Sequence, residues 1–222
     1  MFSFIYMKIL ESQPHRYDRG IAWLSLGAAD RGRERMIAGV VEPGDRVLDI
    51  GTGTGTLALL AARVAEEVVG IDASAAMLRV AEEKRQADPN GGKVAFREAG
   101  VAELDTLFAE ERFHVVTASL VFSELSEDEQ RYTLRQAYRL LVFGGRLVIA
   151  DETIPKGVVR RFLYEIFRLP LALVTFLFTQ TSTRPVTGIE EKVEEAGFTI
   201  TSVERYNLGS YFILQARKET QR

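Results

Sequence analysis

The stretch VLDIGTGTG, residues 47–55, sets Gly51, Gly53 and Gly55 on alternate positions directly after an apolar run. Without a Cβ at those places the backbone can turn sharply and come close to a bound molecule. A helix opening just behind the loop would aim free N–H groups at the same molecule. Two carboxylates frame the loop. Asp49 stands inside the apolar run, and Asp72 closes the next one, VVGID, 21 residues after Gly51. A carboxylate in that second position can accept both hydroxyls of a ribose.

Two kinds of ligand use such a loop. A dinucleotide fingerprint asks for a third glycine three residues after the second, and that position is Thr56. A buried carboxylate at Asp49 suits a sulfonium–ammonium cation better than a pyrophosphate. The loop and Asp49 together therefore favour S-adenosylmethionine, while Asp72 serves either ligand.

The elements needed to position these residues can be read from the same text. Apolar runs at 45–51, 68–72, 93–99, 114–121 and 146–151 predict buried strands. Helical spacing predicts helices over 56–67 and 74–87, and Ser126 with Glu129 forms a capping box opening a third that runs to about Leu141. Strands alternating with helices imply a parallel sheet covered on both faces. Residues 188–197 predict a further helix, and 198–217 two strands joined around Asn207–Gly209, an edge hairpin that would put one strand antiparallel to its neighbour.

Composition narrows the alternatives. The 222 residues carry a net charge of −3, which argues against nucleic acid as a partner. With no cysteine there is no disulfide framework, thiol nucleophile or zinc ribbon. The histidines, His15 and His114, lie far apart without ligand-spaced neighbours, so no metal site is expected. The apolar start MFSFIYMKIL lacks a basic leader and a small-residue cleavage site, which predicts a cytoplasmic location.

With these residues in view, the chain resembles the class I S-adenosylmethionine-dependent methyltransferases. LDIGTGTG is similar to their first motif, GIDASAAML to the acidic second-strand motif with its helix, and LVFGGRLVIADE to the segment leading into the fifth strand. The resemblance implies a Rossmann-like α/β fold: a seven-stranded, mostly parallel sheet with an antiparallel C-terminal edge hairpin and a helical insertion after strand 5. It also implies that Gly51, Thr52 and Gly53 line the methionine part of S-adenosylmethionine and that Asp72 holds the ribose, with Asp49 and Gly55 counted among the cofactor-binding residues. Ala73 and Met77 would flank the adenine, and the backbone of Gly100, Val101 and Ala102 would meet its edge. Val101 stands where the family often has Asp. Ser119 and Tyr17 would touch the methionine end, and the product would be S-adenosyl-L-homocysteine. ESQPHRYDRGIAWLSLG (11–27), LVFSELSEDE (120–129) and TQTSTRPV (179–186) further resemble the corrinoid protein-associated methyltransferases, relatives of the quinone C-methyltransferases. That narrower likeness implies a corrinoid protein as partner.

On the acceptor side, Ser123 and Glu124 follow the fourth strand and are the candidate catalytic residues. Asp151 and Glu152 end the fifth strand at the same rim, where ligands of such sheets bind. His114 opens a strand and reads as structural. The whole chain, 1–222, reads as one domain with an N-terminal cap over 1–34 and an apolar lid inserted over 156–186. Within the lid, Val159, Phe162, Leu163, Ile166 and Phe167 form one stripe, with Arg161, Glu165 and Arg168 on another. The charge-free run Leu169–Thr183 is too short to span a bilayer and contains Pro170. Residues 158–180 would instead cover a bulky acceptor or offer a partner, membrane-surface or homodimer contact. Three functions stay open: methyl transfer with a corrinoid protein, methylation of a quinone or other apolar molecule at a membrane surface, and a non-catalytic regulator that binds S-adenosylmethionine.

Overall fold

The computed structural model describes residues 28–155, 185–206 and 209–219. Tyr17, the segment 158–180 and the turn at Asn207 lie outside them. The strands are β1 (Arg46–Ile50), β2 (Glu67–Asp72), β3 (Val94–Glu98), β4 (Phe113–Ser119), β5 (Leu141–Glu152), β6 (Phe198–Tyr206) and β7 (Tyr211–Lys218). Helices are α1 (Ala28–Ile37), α2 (Thr56–Ala61), α3 (Ala75–Ala87), α4 (Leu104–Leu107), α5 (Glu127–Leu140) and α6 (Ile189–Glu195). The sheet runs β3-β2-β1-β4-β5-β7-β6. Its first five members are parallel, and β7 runs antiparallel to both β5 and β6.

Alternation along the strands sends side chains to opposite faces, and each face carries its own core. On one side Leu48, Ile50, Val116, Ala118, Leu147 and Ile149 pack beneath α5 and α6 with Phe113, Phe122 and Phe212. On the other, Val47, Val68, Val115, Val148 and Ala150 meet Met36 and Ile37 of α1 and the alanines of α2. β1 and β4, the central strands, are almost wholly buried. Their continuous apolar text has this cause. It also leaves no room for polar groups except where the strands end.

Three expectations need correction. The helix foreseen over 56–67 stops at Ala61, and turn bonds such as Ala65 N–H to the Ala61 carbonyl carry the chain into β2. β5 starts at Leu141, five residues ahead of the expected 146, because the strand continues through the Gly144–Gly145 pair with a register shift against β4. Residues 28–34, the last of the expected cap, belong to α1, which was not foreseen as a helix and whose charged text AADRGRERMI buries Gly32, Met36 and Ile37. α5 matches its expected start, with Ser126 and Glu129 capping each other's backbone N–H.

Arg146 of β5 grips the carboxylate of Asp45 through paired 2.8 Å contacts and the Val40 carbonyl at 2.7 Å. This fixes the chain between α1 and β1 at the end of the sheet remote from the glycine loop. At the opposite end, Thr153 bridges Val186, and the Val186 N–H donates to Glu152 O at 2.9 Å. The insertion thus leaves and rejoins at one point on the rim where the parallel strands finish.

Candidate active site

The parallel strands deliver the carboxyl ends of β1, β2 and β4 to a single rim. The chain after β1 turns through Gly51 and Gly53, both at positive φ. The Thr52 N–H donates to the Ile71 carbonyl at 2.9 Å, and the Gly53 N–H donates to Asp72 Oδ2 at 2.8 Å. The other Asp72 oxygen accepts the Ser74 N–H at 2.8 Å. Lys84, reaching across from α3, donates to the Thr54 carbonyl at 2.9 Å and to Thr56 Oγ1 at 2.6 Å, strapping the loop from behind. Burial holds the Asp72 carboxyl above its ordinary range, with a smaller push from the Glu124 carboxylate, while the Ser74 and Gly53 N–H groups pull it back.

Two cavities meet at Gly51. The larger, about 320 Å³, has Asp72 and Ala73 on one wall, Gly100–Ala102 on another, and Val121, Glu124 and Leu125 on a third. The smaller, about 40 Å³, lies among Asp49, Thr52, Gly53, Arg33 and Ser119. The first carries, in Asp72, a carboxylate of the kind that can accept two neighbouring hydroxyls. The second has a carboxylate on its floor and a guanidinium on its wall, a complement to a methionine end bearing both charges.

Asp49 is 2% exposed, and its oxygens accept the Thr52 and Thr117 hydroxyls, each at 2.7 Å. Burial pushes it up to about 6; the two hydroxyls and Arg33 work against that, and Asp72 adds to it. Between pH ~4 and ~6 the folded protein therefore holds a proton that the unfolded chain, with the ordinary value of 3.8, has released. Stability falls as pH rises through that window and is level above it. Asp49→Asn is expected to remove this part of the profile. Its stability relative to wild type, from urea melts at pH 4, 5, 6 and 7, should climb by on the order of 2 kcal/mol across the window. A difference that stays constant with pH would contradict the buried, proton-holding state.

Of the residues expected to bind the cofactor, Asp49, Gly51, Thr52, Gly53 and Ser119 line the smaller cavity, and Asp72, Ala73, Gly100, Val101 and Ala102 the larger, with Gly51 shared. Gly55 caps α2 in the left-handed region, where a Cβ would stand 2.5 Å from the Phe96 ring. Met77 is buried in the first turn of α3, its N–H donating to Ser74 Oγ, and lies on neither cavity wall. The two expected acceptor residues separate. Ser123 is buried, its N–H donating to Asp151 Oδ2 at 3.1 Å, whereas Glu124 is exposed on the wall of the larger cavity, across from Asp72. Asp151 is wholly buried, with its other oxygen accepting the Glu152 N–H, and burial raises it to about 6. It secures the turn that carries Glu124. His114 Nδ1 accepts the Arg46 N–H at 3.0 Å, a structural contact as expected.

Two residues escaped sequence reasoning. Arg33 of α1 lines the smaller cavity, its side chain 12% exposed and paired with Asp30. Tyr211 opens β7 directly opposite Glu152. Its hydroxyl is hydrogen-bonded to Ser119 and sits in the field of Asp151, Arg33 and Glu152, while burial drives its pKa up. Neither carries a local signal, since both arrive from elements distant in sequence.

A glycine loop over paired cavities, a carboxylate at the end of the second strand and this strand order are those of a class I S-adenosylmethionine-dependent methyltransferase. Comparison with known proteins agrees. A family model described as a methyltransferase domain matches residues 41–174. The demethylmenaquinone methyltransferase of Thermus thermophilus is 38% identical over 146 residues, 64% of either chain, so the match spans just under two thirds of that relative. The ubiquinone/menaquinone biosynthesis C-methyltransferase UbiE of Geotalea daltonii is 32% identical over 173 residues, covering 75% of this chain and 72% of its own. Among solved structures, an S-adenosylmethionine-dependent methyltransferase from Mesorhizobium loti superposes with a TM-score of 0.63 at 20% identity, over 84% of this chain and 96% of that one. The chain belongs to this methyltransferase-domain family.

Proposed function

We propose that the chain methylates a ring carbon of a reduced quinone. The observation that carries this reading is the pair of bacterial relatives above, both named for quinone methylation at 32–38% identity. S-adenosylmethionine supplies a methyl group on a positively charged sulfur that departs as a neutral thioether. The protein's part is alignment and the exclusion of water. Asp72 and the 100–102 backbone hold the adenosine, while Asp49, Arg33 and the glycine loop hold the amino-acid end.

A ring carbon becomes a competent nucleophile only when its phenolic oxygen gives up a proton, and the carbon's own hydrogen must leave afterwards. Glu152 lies on the same face of the sheet as Tyr211, at the rim beside Ser119 and Arg33. In this reading Glu152 takes the phenolic proton as the carbon attacks the methyl group, and returns it to that oxygen when the ring carbon's own hydrogen leaves to solvent. Tyr211, kept protonated by burial, donates a hydrogen bond to the acceptor's oxygen. No helix among the described residues is long and apolar enough to cross a membrane, so the acceptor would be met at a surface or in solution.

The test uses methyl-labelled S-adenosylmethionine, purified protein and a reduced, short-chain demethylated naphthoquinol in the dark. Light-stable label in the lipid fraction is the expected result. A corrin acceptor needs no base, and label appearing instead in a light-sensitive corrinoid pool of reduced extract would replace the quinol reading. Cofactor binding without label in any pool would favour a regulatory role.

A further inference from the structure

The wall of the larger cavity formed by Val121, Glu124 and Leu125 is held from behind, by groups that do not line the cavity themselves. Gln130, buried on α5, donates through Nε2 to the carbonyls of Phe122 and Leu125, at 2.8 and 3.1 Å. Asp151 accepts the Ser123 N–H between them at 3.1 Å. Bonds on both sides of the turn leave it little freedom to move toward or away from Asp72 and Ala73 on the opposite wall.

A side-chain amide has nearly the same shape either way round, so its neighbours decide which end meets the carbonyls. On the far side of Gln130 stands Lys192 of α6, only 5% exposed. Its Nζ donates to Gln130 Oε1 at 2.8 Å and to the Thr187 carbonyl at 3.0 Å, with Glu127 Oε1 at 3.8 Å. An ammonium group has donors only, so it keeps the amide oxygen to itself and turns the NH2 toward the turn. A buried network satisfied in this way specifies one arrangement and loses it when a member is removed. Thr187 directly follows Val186, which bridges Thr153 where the chain rejoins the rim. One lysine therefore ties that junction to the cavity wall.

We propose that Lys192 and Gln130 are positioning residues for the cofactor: Lys192 orients the Gln130 amide, and the amide sets the 122–125 turn against which S-adenosylmethionine binds. The assignment rests on the S-adenosylmethionine reading of the cavity and is independent of the methyl acceptor.

Titration calorimetry with S-adenosylhomocysteine, run beside thermal melts, separates placement of the wall from plain support of the fold. Lys192→Met and Gln130→Met should each weaken binding by the folded protein about 5- to 20-fold, the scale of a binding surface let go by a fraction of an ångström. The double variant should bind no more weakly than Gln130→Met alone, because Lys192 acts through the amide. Gln130→Glu keeps an acceptor for Lys192 but loses both donors to the turn, so it should match Gln130→Met in affinity; it decides the matter should Lys192→Met not fold. Arg131→Ala is the control: its exposed ion pair with Glu195 also joins α5 to α6 without reaching the turn, and its loss should leave affinity unchanged. Wild-type affinity in Gln130→Glu, or in either folded methionine variant, overturns the proposal. Losses that add in the double variant overturn the route through Gln130. A wild type that does not bind S-adenosylhomocysteine is a different result, and would overturn the cofactor reading itself.

Discussion

Replacing Asp72 with alanine should lower affinity for S-adenosylmethionine by at least about a hundredfold, and should lower the melting temperature of the free protein as well, because the Gly53 and Ser74 N–H groups lose their acceptor. The carboxylate anchors the loop through Gly53 and keeps acceptor capacity for two ribose hydroxyls. Hydrogen bonds to a charged partner contribute about 1.5–3 kcal/mol each, so losing two reaches that factor. Burial already holds the carboxyl above its ordinary range. The folded state therefore gains little from the charge itself, and the cost to folding is that of the two backbone bonds, which Asp72→Asn would keep in part while still losing a charged acceptor. Calorimetry against cofactor and product separates the two effects; unchanged affinity would mean that the ribose lies elsewhere.

The second large effect concerns Gly51, where the two cavities meet. Its φ of 67° costs an alanine about 1–2 kcal/mol, and the added Cβ would stand 2.6 Å from Val121 Cγ2 and 2.8 Å from Val121 Cβ. Val121 is itself a wall of the adenosine cavity, so the collision displaces a binding surface as well as the loop. Gly51→Ala is expected to lose about 2–4 kcal/mol of stability and to depress melting by about 5–12 °C. Cofactor affinity should fall at least about tenfold. Gly39→Ala serves as the control: its φ is 71° with no atom within 4 Å of the new Cβ, so it reports the backbone cost alone. Adding Val121→Ala to Gly51→Ala removes only the 2.6 Å contact and keeps the 2.8 Å one, so it should relieve the collision in part; Val121→Gly, which removes both atoms, should relieve it further. Equal losses in Gly39→Ala and Gly51→Ala would show that Val121 moves aside freely.

The cofactor side of this protein was legible because its determinants are short-range. Asp49, the three glycines and Asp72 fall within 24 residues, and the central strands advertise themselves as unbroken apolar runs because both faces are covered. The residues that reach the same rim from distant elements were not. Tyr211 reaches the rim only because β7 pairs antiparallel with β5, setting it opposite Glu152, 59 positions earlier. Arg33 arrives on a helix whose buried residues are few and whose middle is charged, so no apolar stripe betrays it. Glu124 and Ser123, adjacent in sequence, looked equivalent. A 3-10 turn sends one into the interior with Asp151 and leaves the other exposed beside the cavity, a distinction that periodicity cannot draw.

The position of β7 between β5 and β6 bears on how the molecule comes into being on a ribosome. β1 to β5 and β6 all emerge before β7 does, yet β6 has no direct partner in the sheet other than β7, and the outer flank of β5 is closed by the same strand. Until residues 211–218 have been synthesised, β5, twelve residues long and mostly buried in the finished fold, is an open edge whose amides and carbonyls on the flank away from β4 are unsatisfied. Such an edge templates pairing with other chains. A nascent polypeptide of this design therefore carries an uncovered β5 flank from the emergence of Glu152 until that of Tyr211, and a chaperone that shields β5 during that interval would raise the yield of active enzyme without touching its stability.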